Sequence, residues 1–171
     1  MTWSRLQAPI AITLLTFWVC LGAQAQTREG LRLTELTSVD RQYMTQQRDS
    51  LTDLAKRNFG HGFIGNRDRD LGLLQKLLDR RLVLPEQTRE LQAMGVIMGD
   101  LLAADLDMHW IVYEDKIGRS RALRYRDTEE YLFPVTMISR RREAGNNTPV
   151  VDIYEKARAI IIDTRPPLPF Q

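Results

Sequence analysis

The sequence predicts an α+β domain: a small three-stranded antiparallel meander over 109–133, packed with several α-helices on one or both faces. Three observations carry this. Apolar residues recur at helical spacing in long stretches on both sides of residue 109. From His109 the pattern changes to alternation, with Trp110, Ile111, Val112 and Tyr113 in a row. Asp115-Lys116-Ile117-Gly118 then supplies a hairpin turn, with Gly at the left-handed position.

Residues 1–25 have the form of a secretory signal peptide. Arg5 gives a short positive start, Leu6 to Leu21 is almost wholly apolar, and Ala23-Gln24-Ala25 fits the small-x-small cleavage rule. The apolar run is short for a span, which needs about 20 residues. Cleavage before Gln26 is therefore expected, leaving no membrane span. Phe17-Trp18-Val19 ahead of Cys20 lacks the small residues of a lipidation site. The chain's single cysteine falls in this segment, so the mature chain has no disulfide and no thiol nucleophile.

The 171-residue chain holds 24 Lys+Arg against 22 Asp+Glu, and only Arg5 leaves with the signal. Near neutrality gives no field to draw in a nucleic acid. The expected organisation is a signal peptide (1–25), a lead-in, helix and Gly-rich turn (26–66), an α+β domain (67–163) and a Pro-rich tail (164–171).

Along the chain, Ser38 is read as the N-cap of a helix over 39–58. Met44, Leu51, Leu54, Ala55 and Phe59 lie at its spacing, and Gly60 ends it. GHGFIG, 60–65, spells a dinucleotide-binding fingerprint. A helix enters it where a strand is required, so it is read as an inter-helix turn holding a solvated His61. Asn66 or Asp68 caps a helix over 68–82 that presents Leu71, Leu74, Leu77 and Leu78. Pro85 opens the next, about 85–105. That helix carries a small-residue stripe, Gly95, Gly99 and Ala103, read as a groove for a closely packed backbone. Asp100 falls in line with Ala93, Ile97 and Ala104, so its carboxylate needs a partner. The partner expected is Arg119 or Arg121.

A three-residue hairpin loop would set Asp115 opposite Arg119 and Tyr113 opposite Arg121, an ion pair and a cation–π contact on one face. Trp110 would then meet Arg124. Tyr131 to Phe133 is the third strand, stopped by Pro134. A short helix over 135–143 and a last helix, capped by Thr148 with Pro149 at its first position, complete the chain. The run Arg140-Arg141-Arg142 is read as a solvated helix end.

At GVIMGD, WIVYEDKIGRSRAL and FPVTMISRR the sequence resembles a bacterial family known only as a domain of unknown function, number 3806. Gly95, Gly99, Asp100, Trp110, Glu114, Asp115, Gly118, Arg119, Ala122, Leu123, Pro134 and Ile138 carry the resemblance. It implies a small mixed helix–sheet domain and no activity. The helix at 39–58 lies outside it.

Familiar catalytic patterns are missing. Gly118-Arg119-Ser120-Arg121 is no nucleophile elbow, and His61 and His109 are too few for a metal site. No cofactor is expected. Asp100 with Glu114 or Asp115 is the one acid–base pairing on offer. The expected function is a non-catalytic binding domain of the cell envelope, its partner an unknown protein or envelope component. Asp100, Trp110, Glu114, Asp115, Arg119 and Arg121 are the candidate binding residues. The alternative is a small periplasmic hydrolase using the carboxylates.

Overall fold

A computed structural model describes residues 30–164. The expected signal segment, with Cys20, and the Pro-rich run from Arg165 lie outside the described residues. The sheet has four antiparallel strands, in the order β1 (Arg32–Glu35), β2 (Met108–Glu114), β3 (Arg119–Tyr125) and β4 (Tyr131–Leu132). The expected three-stranded meander therefore gains an edge strand from the lead-in. Only Leu33 of β1 is even half-buried, and four residues give too little alternation to mark a strand. Pairing with β2 sets its conformation.

The hairpin register differs from the expected one by a single residue. Glu114 pairs with Arg119, Tyr113 with Ser120, Val112 with Arg121 and Trp110 with Leu123. The cause is the turn. Asp115 Oδ1 accepts from the Ile117 and Gly118 amides, and the Asp115 amide donates to Gly118 O, so Asp115 to Gly118 form a four-residue loop. A one-residue slip moves side chains to opposite faces. Tyr113 and Arg121 thus point away from each other, and His109, not Trp110, lies opposite Arg124.

Helix α1 (Ser38–Phe59) is capped by Thr37 instead of Ser38. The Thr37 hydroxyl accepts from the Asp40 amide at 3.2 Å, and the Asp40 carboxylate accepts from the Thr37 amide at 3.1 Å. Gly60, left-handed at φ 76°, ends the helix as expected. Helix α2 (Arg67–Asp79) starts from Asn66 and stops before residue 82. Arg81 turns left-handed there, and the Leu82 and Val83 amides return to Leu77 O. Helix α3 (Thr88–Leu106) begins three residues after Pro85, because Leu84 and Gln87 bond to each other in a tight turn.

The expected helix 135–143 divides into a 3-10 turn (Pro134–Thr136) and α4 (Ser139–Glu143). Helix α5 (Val150–Asp163) places Pro149 at the N-cap, one position later than expected, with no side-chain cap. Helix α3 is the centre of the core. Met94, Met98, Leu102 and Leu106 on it are sealed from solvent, as are Leu74 and Leu77 of α2 and Tyr154 of α5. Each such aliphatic side chain contributes about 1.5–3 kcal/mol relative to exposure.

Met108, Trp110, Leu123 and Leu132 share the sheet face turned to this core. The other face carries Ile111, Ala122, Tyr113 and Tyr131. The Tyr113 ring meets the Tyr131 and Phe133 rings edge-on, both with centroids 5.2 Å apart. Small side chains on the central strand, Ser120 and Ala122, leave room for those rings.

Candidate functional site

The small-residue stripe on α3 builds one wall of the site. A Cβ on Gly95 would lie 2.5 Å from Pro134 O and 2.6 Å from Val135 O. A Cβ on Gly99 would lie 2.4 Å from the Trp110 ring. The glycines therefore let the 3-10 turn and the indole rest directly on the helix, as the stripe predicts. Pro134 ends β4, so only Leu123 and Arg124 of β3 are paired on that side. Beyond them, a cleft of about 540 Å³ opens between the hairpin, the start of α1 and the 3-10 turn. Tyr113 and Phe133 line it from the strand side, Tyr43 and Gln92 from the helices, and Val135 and Thr136 from the turn.

Charge enters the cleft through Arg119 and Arg121, which share a face of β3 at i and i+2. Both reach one carboxylate, Asp40, which is 1% exposed. Arg119 holds it with two bonds, Nη1 to Oδ1 at 3.0 Å and Nη2 to Oδ2 at 2.6 Å. Arg121 Nη2 lies 3.0 Å from Oδ1. The Thr37 hydroxyl donates to Oδ2 at 2.7 Å. The bond from Arg119 is the main reason the Asp40 carboxyl is held well below its usual range, against the opposing effect of burial. The Arg121 guanidinium stacks 4.2 Å from the centroid of the Tyr43 ring, one helical turn along from Asp40. Its Nε is buried without a hydrogen-bond partner among the described residues.

Asp100 is paired with an arginine, as its position requires, but the arginine is Arg48 of α1. Nε and Nη2 of Arg48 bond the two carboxylate oxygens at 2.6 and 2.8 Å. The Trp110 indole N–H donates to Asp100 Oδ1 at 3.0 Å. Glu114 is exposed at the strand end, and Asp115 both closes the hairpin turn and lines the cleft. Arg119, Arg121 and Asp115 therefore meet at the cleft. Asp100 and Trp110 form a separate link between α1, α3 and β2, and Glu114 faces Arg119 across the hairpin without lining the cleft.

Asp40 and Tyr43 are not among the residues singled out from the sequence, and Arg140, expected only in a solvated helix end, lines the cleft from α4. Thr37-x-x-Asp40 does spell a capping box, the one local signal for Asp40. Of the Arg140–Arg142 run, Arg140 is exposed, while Arg142 is buried and donates to Asn147 Oδ1 at 2.6 Å. Burial pushes the Arg142 guanidinium below its usual range. The GHGFIG loop is an inter-helix turn: its Ile64 and Gly65 amides donate to the buried Asp70 carboxylate of α2, at 3.0 and 2.7 Å to Oδ2. The loop's donors thus face an anion from the chain itself.

Among the described residues no three His, Cys, Asp or Glu side chains are grouped to hold a metal ion. No helix among them is long and apolar enough to cross a membrane.

Residues 70–154 match the family model described as a domain of unknown function, DUF3806. The chain carries a DUF3806 domain. Within it lie α3, the hairpin, the 3-10 turn and Arg140, but Asp40, Tyr43 and Arg48 precede it. The cleft therefore joins the DUF3806 domain to a helix outside the matched span. No curated protein matches the chain. A crystal structure from Bacteroides thetaiotaomicron VPI-5482, at 1.50 Å resolution, has a similar fold, with a TM-score of 0.68 at 18% identity. The likeness covers 76% of this chain and 48% of that one, so the chain spans about half the length of that protein.

Proposed function

We propose that this chain is an exported bacterial domain that binds an envelope component, a protein or another molecule, without transforming it. The binding site is the cleft between the hairpin and the start of α1. One observation carries the reading: two cleft arginines are fixed in place by a buried carboxylate, Asp40, beside aromatic walls. A polar site whose side chains are held before the ligand arrives is suited to recognition, because less freedom is lost on binding.

Two of the three carboxylates expected for acid–base chemistry, Asp100 and Asp115, have other work, and the third, Glu114, is exposed at the strand end. Asp100 is held by Arg48 and Trp110, Asp40 by two arginines, and Asp115 Oδ1 by the amides of its turn. Export is supported by the signal-like sequence of residues 1–25.

The test compares wild type with Ser120→Trp, which places a large ring in the cleft from an exposed strand position. Both are melted in the presence of fractionated envelope extract. At least one fraction should raise the wild-type midpoint by several degrees and leave the variant unmoved. If no fraction distinguishes the two proteins, the cleft is not the binding site.

A further inference from the structure

We infer that the cleft recognises an oxyanion, a carboxylate or phosphate group carried on a flat apolar body. The inference rests on the cleft being the binding site and adds the chemistry of its ligand. Charge is the first argument. Arg119, Arg121 and Arg140 all line the cleft, against the lining Asp115 and the buried Asp40 that holds the first two. Glu114, paired with Arg119 across the hairpin, completes the balance around the first two arginines, which leaves Arg140 as the open cation. Arg140 is exposed and forms no ion pair among the described residues. Its planar fork is therefore open to a carboxylate or phosphate, the groups that such a fork fits bidentately.

Preorganisation is the second argument. Asp40 and the Tyr43 ring hold the Arg121 guanidinium from two sides, and Asp40 holds Arg119 by two bonds. Positive charge is thereby fixed at the cleft without a ligand. The third argument is the wall. Tyr113 and Phe133 pack edge-on and both line the cleft with Val135, giving it an apolar wall. About 540 Å³ is in the range of small-molecule sites. A body of one or two rings fits that wall, with its charged group turned toward Arg140.

The experiment is an amide-resolved NMR titration of the mature protein with phenylacetate, phenyl phosphate and neutral phenylacetamide, each at millimolar concentration. An anion should shift the amides of residues 119–121 and 135–136, and the amide analogue should not. The stronger of the two anions identifies the headgroup. Arg140→Gln should weaken the response by about tenfold, the worth of one charge-assisted hydrogen bond. Its melting midpoint should stay at the wild-type value, because Arg140 has no ion pair to lose. Equal shifts from phenylacetamide would overturn the anion and leave the cleft standing. Shifts confined to other surfaces, or none with either anion, would also overturn the anion. The melting experiment with Ser120→Trp would then judge the cleft on its own.

Discussion

Asp40→Asn tests the clamp that shapes the cleft. The wild-type carboxylate is 1% exposed, accepts from Thr37 and Arg119 and pairs with Arg121, across a sequence separation of 79 residues to Arg119. An amide of the same shape loses the charge and turns a donor toward guanidinium groups that are themselves donors. Removing one partner of a buried pair costs about 3–5 kcal/mol, and an exposed pair is worth about 1 kcal/mol at most. Arg119 and Arg121 keep side-chain exposures of 42% and 22%, so the expected loss lies between, at about 2–4 kcal/mol. At about 4 °C per kcal/mol for a domain of this size, the midpoint should fall by about 8–16 °C.

The sign with pH follows from the depressed pKa. The clamp contributes fully above the ordinary carboxyl value of 3.8 and loses its contribution as pH falls below it, toward the lower folded value. Urea titrations of both proteins at pH 7 and pH 3 should therefore show a large gap that narrows in acid. A gap under about 0.5 kcal/mol at pH 7, the size of an ordinary surface substitution, would refute the reasoning.

Gly95→Ala should cost about 1–3 kcal/mol in denaturant titration, since its Cβ would meet backbone oxygens of the 3-10 turn. Gly72→Ala, in α2 with open space around it, should instead stabilise by about 0.5–1 kcal/mol. Asp100→Asn should cost about 1–2 kcal/mol, and a double-mutant cycle with Arg48→Ala should show most of that as coupling. Mass spectrometry of exported protein should give an N-terminus at Gln26; retention of Trp3, or an acylated Cys20, would contradict the signal-peptide reading.

What the sequence made legible was local or periodic. Gly95 and Gly99 at i and i+4 announced a close approach, and the structure places a backbone and an indole against them. Asp100 on an apolar strip announced a partner, and it has one. Its identity was not legible, because Arg48 sits 52 positions away on a helix whose orientation no local pattern fixes. The hairpin was evident from Asp115 to Gly118, but its register hung on whether the Asp115 side chain would close a three- or a four-residue loop. Strand β1 was lost because a four-residue edge with one half-buried leucine has no usable period. Asp40 was overlooked for a related reason. Its capping box is visible, but the two cleft arginines that it holds come from a strand far along the chain.

The central claim is that the cleft beside the hairpin is where this protein meets its ligand. Site-specific photo-crosslinking in the cell envelope tests it most directly, with the crosslinking side chain at position 120 in the cleft and, separately, at position 86 in a second hollow. The account predicts a discrete adduct from position 120, and none from position 86. Adducts of equal yield from both positions, or from position 86 alone, would contradict it.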